Sequence, residues 1–328
     1  MRRRTFLSMG GLVAGAAALG VLPPVTGLGQ PAAGRPAPAF VGLDGWINTS
    51  GPITLAEQRG HVVLVDFWTY SCINCRRTVP YLNRWQSEYG PLGLQVIGIH
   101  TPEFGFERAR RNVETSTRAF GIAYPVGQDN SFQTWRAWNN RAWPAFYIVD
   151  RDGQIVLFRE GEGHARKMEG VIRSLLGLGP GMVHKGDDPD LSRIATPEMY
   201  FGTEHPTPQD RSQSPRAGEA VYVFPKAAGP RLNTYQLDGT WLRGEEVLVL
   251  RSSSGGLRMR FSAAKLHVVA SASSPATLRV RVDGGEARSV PVDHPTLYTL
   301  LDGDAYGEHV VEVETDQAGL SLFSATFG

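Results

Sequence analysis

The sequence predicts an α/β domain followed by an all-β antiparallel sandwich of the jelly-roll type. In residues 34–179, apolar strand-like runs alternate with helical stretches, which indicates a mixed sheet with helices on both faces. From residue 219 to 328, short runs are separated by turn residues, and no helical pattern interrupts them. Between them, residues 180–218 are rich in Gly, Pro, Asp and Ser and are predicted to be a linker. A chain of 328 residues is long enough for two hydrophobic cores.

Residues 1–33 are predicted to be an export signal. Arg3-Arg4-Thr5-Phe6-Leu7 precedes a Gly- and Ala-rich apolar stretch at 9–22 and resembles a twin-arginine signal. An ordinary secretory signal is the alternative. The apolar stretch is short for a transmembrane helix, which needs about 20 residues. We therefore expect an exported, periplasmic or otherwise extracytoplasmic protein whose signal is cleaved.

The elements of the first domain follow from its apolar runs. A turn at 150–153 is expected to join two strands as a hairpin. The predicted strands are 62–68, 94–100, 145–149 and 154–158, and the predicted helices are 76–89, 106–120 and 165–176.

The elements of the second domain follow from short alternating runs. In residues 278–282, apolar and charged side chains alternate strictly, and Asp283-Gly284-Gly285 supplies a turn. The predicted strands are 220–224, 246–250, 257–261, 266–271, 278–282, 297–301, 309–314 and 320–327.

Cys72 and Cys75 are the two cysteines of the chain, and they form a C-x-x-C motif. The apolar run 61–65 leads into the motif and predicts a buried strand, whereas residues 76–89 predict a helix. Two thiols at the N-terminus of a helix that follows a central strand are the arrangement of a redox-active dithiol. The sequence therefore predicts thiol–disulfide exchange.

Other chemistries for the two cysteines fit less well. A structural disulfide is the alternative in an exported protein, but a bridge across four residues closes a small loop and stabilises little. A structural zinc site needs four ligands, and covalent haem attachment needs His where Arg76 stands. No metal or cofactor beyond the redox-active disulfide is predicted. The net charge of +1 argues against a nucleic-acid partner.

The residues of the motif have distinct predicted roles. Cys72 is the expected nucleophile, since the N–H groups and the dipole at a helix N-terminus favour a thiolate. Cys75 is the expected buried, resolving thiol, and Asp66 is its candidate base, acting through water, if burial raises the pKa of that carboxyl. A salt-bridged structural aspartate is the alternative. The residues expected to tune the dithiol are Ile73, Asn74 and Arg76.

Four segments carry a resemblance to a known family. Asp66-Phe67-Trp68 before the first cysteine, Pro80 after the second, and Pro144 within residues 141–146 resemble thioredoxins. Residues 68–75 (WTYSCINC) and 100–104 (HTPEF) more narrowly resemble the DipZ branch of TlpA-like thioredoxins. The resemblance implies a thioredoxin fold, a reductase that exchanges disulfides with protein substrates, and a β-sandwich similar to carbohydrate-binding modules.

One departure from DipZ-type proteins concerns the electron supply. Residues 36–328 resemble the soluble C-terminal part of those proteins, but this chain has no counterpart of their multi-span membrane domain. The resemblance therefore implies a membrane electron donor of the CcdA/DsbD type that acts in trans.

Pro144 is expected to follow a cis peptide bond beside the dithiol; the alternative is a proline that simply begins a strand. A cis-proline turn would leave the backbone of Trp143 free to pair with an extended substrate segment. Trp68, Tyr70 and Trp143 are expected to wall the substrate site, with Tyr70 the most exposed of the three.

A second group of polar residues follows the strand at 94–100. His100, Glu103 and Glu107 resemble an acid–base or metal cluster, but the end of a strand that leads into a helix is the simpler interpretation. Glu103 or Glu107 is then expected at the rim of the active site.

Two other functions remain open at this stage. A peroxidase of the AhpC/TSA type is suggested by Thr69, three residues before Cys72, but the expected proline four residues earlier is Val65. A glycan-binding role for the sandwich is suggested by four aromatic residues that are able to stack on sugar rings. These residues are Trp241, Tyr235, Tyr298 and Tyr306.

Overall fold

The structure is a computed structural model that describes residues 34–179, 192–226 and 229–328. The predicted export signal at 1–33 and the first part of the predicted linker, 180–191, lie outside these ranges. Within the described ranges, no helix combines the length and the apolar character that crossing a membrane requires.

The first domain is built on a seven-stranded mixed sheet. Its elements are β1 (Arg35–Pro36), β2 (Gly45–Ile47), β3 (Val62–Trp68), α1 (Ile73–Tyr89), β4 (Leu94–His100), α2 (Arg110–Ala119), β5 (Val126–Gln128), α3 (Gln133–Ala137), β6 (Ala145–Val149), β7 (Gln154–Glu160) and α4 (Ala165–Leu175). The strand order is β1-β7-β6-β3-β4-β5-β2. Strands β3, β4 and β5 are parallel, whereas β6 and β7 run antiparallel to their neighbours.

Strand β3 is buried on both faces because it lies at the centre of this sheet. Leu64 and Trp68 point to the face covered by α1, α2 and α4, whereas Val65 and Phe67 point to the face covered by α3 and the N-terminal segment. The same alternation puts Asp66 on the α1 face. Helices therefore cover both faces of the sheet, as the sequence predicts.

The second domain is an antiparallel β-sandwich, which confirms the predicted fold class. Its strands are β8 (Met199–Tyr200), β9 (Gly218–Tyr222), β10 (Thr234–Arg243), β11 (Leu248–Leu250), β12 (Gly255–Ala272), β13 (Ala276–Val282), β14 (Arg288–Val292), β15 (Thr296–Thr315) and β16 (Leu320–Phe327). The first half of β12 pairs with β10 and its second half with β16, while β15 runs along its other edge. The long strands thus belong to both layers of the sandwich.

Two features of this domain differ from the sequence prediction. Residues 257–261 and 266–271 belong to one strand, as do 297–301 and 309–314, because β12 and β15 continue through register shifts near Ala263 and Lys265. Residues 192–218, predicted as linker, pack on the sandwich, since Met199 and Phe201 are buried in its core.

Candidate redox site

The dithiol lies where β3 passes into α1. Cys72 is the N-cap of α1, in extended conformation, and its Sγ accepts a hydrogen bond from the backbone N–H of Cys75 at 3.4 Å. Both cysteines are free thiols; Cys72 is half-buried and Cys75 is fully buried. The helix begins at Ile73, three residues earlier than predicted, so Cys72 caps its first turn directly.

Asp66 lies in the core on the same side of the sheet as Cys75. It is 0% exposed, and neither of its carboxylate oxygens has a hydrogen-bond partner among the described residues. Burial raises the pKa of Asp66 well above its ordinary value, and burial together with the charges of Cys72 and Asp66 raises the pKa of the Cys75 thiol. The alternative of a salt-bridged structural aspartate is therefore wrong. A carboxylate whose pKa is raised in this way is a stronger base than an ordinary aspartate, which suits the ionised form of Asp66 to accept the proton of Cys75.

The Trp143–Pro144 peptide bond is cis, as predicted. Strand β6 begins directly after it, with Ala145 paired to Phe67 of β3. Pro144 therefore lies at the same end of the sheet as the dithiol. Trp143 is half-buried; its Nε1 donates to the Thr101 carbonyl at 3.0 Å.

Trp68 and Tyr70 do not wall the site, which corrects the sequence prediction for both. Each is 1% exposed. The Trp68 ring meets His100 edge-on. The Tyr70 ring stacks on His100, with 5.7 Å between centroids, and makes a tilted contact with Phe106. Large rings at the end of a central strand are buried because the loop that follows β4 folds over them.

Glu107 is a buried carboxylate that holds the loop before Cys72. Its Oε1 accepts from the Ser71 backbone N–H at 3.2 Å and from the Ser71 hydroxyl at 2.6 Å. Its Oε2 accepts from the backbone N–H groups of Glu103 and Phe104 at 2.6 and 3.0 Å. Burial raises the pKa of Glu107, and these hydrogen bonds oppose the shift. Of the two residues expected at the rim, Glu103 lines the cleft beside Trp143, whereas Glu107 is buried and holds Ser71, a role that the sequence does not predict.

The predicted polar cluster of His100, Glu103 and Glu107 does not converge on one point. His100 is fully buried beside the Thr69 hydroxyl, and burial lowers its pKa to about 3, so it is neutral at pH 7. Glu103 instead accepts a hydrogen bond from the hydroxyl of Tyr200, a residue of the second domain, at 2.7 Å.

Arg76 connects the dithiol loop to the sandwich. Its Nε donates to the Tyr70 carbonyl at 2.7 Å, and its two terminal nitrogens donate to the Thr296 hydroxyl at 2.6 Å and to the Leu297 carbonyl at 3.3 Å. Burial lowers the pKa of Arg76 to about 10, so the guanidinium stays charged at neutral pH. A residue predicted to tune the dithiol therefore also fixes the second domain against it.

An interdomain cluster of apolar side chains covers one side of the dithiol. Ile73, which lies between the two cysteines, packs at its edge, and the Phe323 ring of β16 lies 5.2 and 4.8 Å from the rings of Phe104 and Phe106. The members of the interdomain cluster are Phe104, Val269, Leu297 and Phe323, with Ile73, Phe106, Tyr200 and Val247 packed against them. Asn74 lies beside the sandwich as well, in a cleft that Thr326 also lines.

A second cleft between the domains opens beside Trp143. It has a volume of about 360 Å³ and is lined by Trp143, Phe104 and Tyr200 together with several carboxylates. The carboxylates are those of Glu103, Glu204, Glu245 and Glu246. This cleft lies on the Trp143 side of the redox site, and Phe104 and Tyr200 of the interdomain cluster form part of its wall.

The aromatic residues predicted to bind glycans do not share one surface. Trp241 and Tyr235 are buried in the sandwich core, which makes stacking on sugar rings impossible and corrects the prediction for these two. Tyr298 and Tyr306 are half-buried, and the Arg193 guanidinium lies over the Tyr306 ring.

Comparison with known proteins supports both domains. The model of the AhpC/TSA family matches residues 33–158, and that of the "Thioredoxin like C-terminal domain" matches residues 196–328. Together with the fold and the C-x-x-C site, these matches support a protein that is similar to the thioredoxin family. More particularly, the chain is similar to DipZ-type proteins: Protein DipZ of Mycobacterium bovis and of Mycobacterium tuberculosis are each 34% identical to it over 302 residues.

The extent of these similarities differs between relatives. The alignment covers 89% of this chain but 43% of the length of each DipZ protein. Thiol-disulfide oxidoreductase YkuV of Bacillus subtilis is 25% identical over 43% of this chain and 95% of its own. A solved structure, a putative thiol:disulfide interchange protein DsbE from Chlorobium tepidum, is 26% identical, with a TM-score of 0.40 over 44% of this chain and 99% of its own.

We expect Asp66→Asn to increase the free energy of unfolding at about pH 8. Burial raises the folded-state pKa of Asp66, so wild-type stability is full below the unfolded-state pKa and falls as the pH rises toward the folded-state pKa. The variant has no ionisable group at position 66, so its free energy of unfolding does not decrease in this way as the pH rises. The gain should be about 1 kcal/mol or more, since a tenfold change in the acid dissociation constant corresponds to about 1.4 kcal/mol.

Urea unfolding of the reduced proteins at about pH 5 and pH 8 measures this difference. Asp152→Asn, in an exposed turn, is the matched control and should stay within about 0.5 kcal/mol of wild type at both values. A less stable Asp66→Asn variant, or an equal gain in the control, would contradict the assignment of Asp66.

We expect Phe323→Ala to speed alkylation of Cys72 by iodoacetamide by about fivefold, which corresponds to about 1 kcal/mol of lost packing over the dithiol. Phe224→Ala removes a sandwich ring that lies outside the interdomain cluster, against Arg258, and should leave the rate unchanged. Equal rates in wild type and Phe323→Ala would show that the sandwich does not restrict access to Cys72.

Proposed function

We propose that this protein is an exported thiol–disulfide oxidoreductase that reduces disulfides in protein substrates. The observation that carries the proposal is the dithiol itself: a half-buried Cys72 at the N-terminus of α1, with a buried Cys75 one turn further along. Partial exposure of one thiol and burial of the other are what a nucleophile and a resolving thiol require.

The reaction proceeds in two exchanges. The Cys72 thiolate attacks the substrate disulfide, which forms a mixed disulfide and releases one substrate thiolate. Cys75 then loses its proton toward Asp66 through water and attacks the Cys72 sulfur, which releases the second substrate thiol. Two electrons pass to the substrate, and the protein is left with a Cys72–Cys75 disulfide. No cofactor is needed beyond this disulfide.

The substrate approaches from the side of Trp143 and Pro144, because the half-buried Trp143 and the cleft that it lines lie there. An extended segment pairs there with the Trp143 backbone, and the half-buried indole packs against it. The 360 Å³ cleft takes the residues that flank the substrate cysteine.

The fold does not decide between reduction and oxidation, because redox potentials in it range from about −270 mV to about −120 mV, and the Ile73-Asn74 pair does not set the direction by itself. Reduction is supported by the likeness to DipZ. The consecutive arginines of residues 2–4 support export, by the twin-arginine or the general secretory route. The Cys72–Cys75 disulfide is then reduced again by a membrane donor of the CcdA/DsbD type in trans.

A peroxidase is the second candidate, and the match to the AhpC/TSA family favours it. The geometry does not, because Thr69 is fully buried and its hydroxyl lies 3.3 Å from His100 Nε2. Val65 also stands where the peroxidase pattern has proline. For glycan binding by the sandwich, Tyr298 and Tyr306 remain the candidate residues.

We expect Cys75→Ser to accumulate a stable one-to-one mixed disulfide with a model peptide disulfide, since the resolving thiol is missing. Cys72→Ser should form no adduct, because Cys75 is buried. Intact-protein mass spectrometry measures both, and circular dichroism checks that the variants fold. An adduct on Cys75 in Cys72→Ser would contradict the assigned roles. A faster reaction of wild-type Cys72 with hydrogen peroxide than with the peptide disulfide would favour the peroxidase.

A further inference from the structure

A third cleft between the domains is separate from the side of the site that faces Trp143. It has a volume of about 480 Å³ and lies between α1 and α2 of the first domain and the start of β15 in the sandwich. Arg76, Arg111 and Phe120 line it from the first domain, and His294 and Leu297 line it from the second. The proposed reaction does not use it.

The charge of this cleft is positive. Arg76 and Arg111 both line it, no lining residue is Asp or Glu, and neither guanidinium forms an ion pair within the described ranges. His294 is paired with Asp293 at 2.5 Å. A partly buried guanidinium without a carboxylate partner favours a bound anion, since Arg donors match the oxygens of carboxylates and phosphates. The cleft beside Trp143, in contrast, is lined by carboxylates.

A buried hydroxyl in the same cleft also lacks a partner. Tyr70 lines the cleft and is 1% exposed; the Asn112 side chain lies near its hydroxyl, but no described residue meets it with the distance and angle of a full hydrogen bond. A buried, unpaired hydroxyl costs about 1–3 kcal/mol. A ligand oxygen within reach of this group removes that cost. Asn112, also in the lining, supplies a further polar group beside it.

The rest of the lining is apolar. The Phe120 ring, with the Arg76 guanidinium 5.1 Å above its centre, forms one wall, and Pro295 and Leu297 form the other. A free inorganic anion would leave these walls uncovered. A ligand that carries its charge on a ring or another apolar body would cover them.

We propose that this cleft binds a small organic anion, with its carboxylate or phosphate at Arg76 and Arg111 and its apolar body between Phe120 and Leu297. Arg76 also holds the carbonyl of Tyr70, two residues before Cys72, so the ligand contacts the loop that carries the dithiol. Binding and the redox state of the dithiol are then linked, and each changes the equilibrium of the other.

Isothermal titration calorimetry on the full chain, with phenyl phosphate as the probe, tests the proposal. We expect saturable one-to-one binding, and we expect Arg111→Gln to weaken it about tenfold through loss of a charge-assisted hydrogen bond. Arg110→Gln is the matched control, since it removes the same charge from the neighbouring position of α2, where the side chain pairs with Glu114 outside the cleft. It should bind as wild type does.

Comparison probes decide which part of the proposal holds. If phenylacetate binds as tightly as phenyl phosphate, the cleft accepts a carboxylate ligand. If phenylacetate binds more weakly, the cleft prefers a phosphate. Both outcomes support the proposal. Inorganic phosphate binding as tightly as phenyl phosphate would overturn it, because the apolar walls would then contribute nothing. Equal losses in Arg111→Gln and Arg110→Gln, or no saturable binding by wild type, would overturn it as well.

Discussion

The Arg76 guanidinium joins three parts of the structure, namely the dithiol loop, the first turn of α1 and the sandwich. It donates to the Tyr70 carbonyl in the dithiol loop and to Thr296 and Leu297 at the start of β15. A buried guanidinium with unused donors is strongly unfavourable, so these hydrogen bonds have to form together. The loop before Cys72, the first turn of α1 and the sandwich are therefore held in one fixed arrangement.

The packing around Ile73 limits access to the dithiol. Ile73, which lies between the two cysteines, packs against the interdomain cluster. Residues of the second domain thus cover the dithiol on the side of Ile73 and also line the cleft beside Trp143. Substrate selection becomes a property of both domains, even though the chemistry belongs to residues of the first.

The sequence predicts the parts of this arrangement that depend on local pattern. The bounds of β3, β4 and β6 agree with their apolar runs, and the cis bond before Pro144 follows from its motif. Long-range packing decides the rest. Tyr70 is buried by a loop some 30 residues away, and Ile73 packs against the interdomain cluster, most of whose members belong to the second domain. No local pattern around Glu107 predicts its hydrogen bond to Ser71. Its position three residues after the HTPEF segment is the feature of the sequence that associates it with the redox site.

The redox potential of the Cys72–Cys75 pair is the most direct test of the account. The mature protein is equilibrated against glutathione and dithiothreitol buffers, and the fraction of oxidised dithiol is measured by mass after alkylation. A reversible two-electron transition near or below about −250 mV is the predicted result, as expected for a reductase supplied by a membrane donor. A value above about −150 mV would reverse the direction of electron flow, and a pair that does not exchange would contradict the redox function altogether.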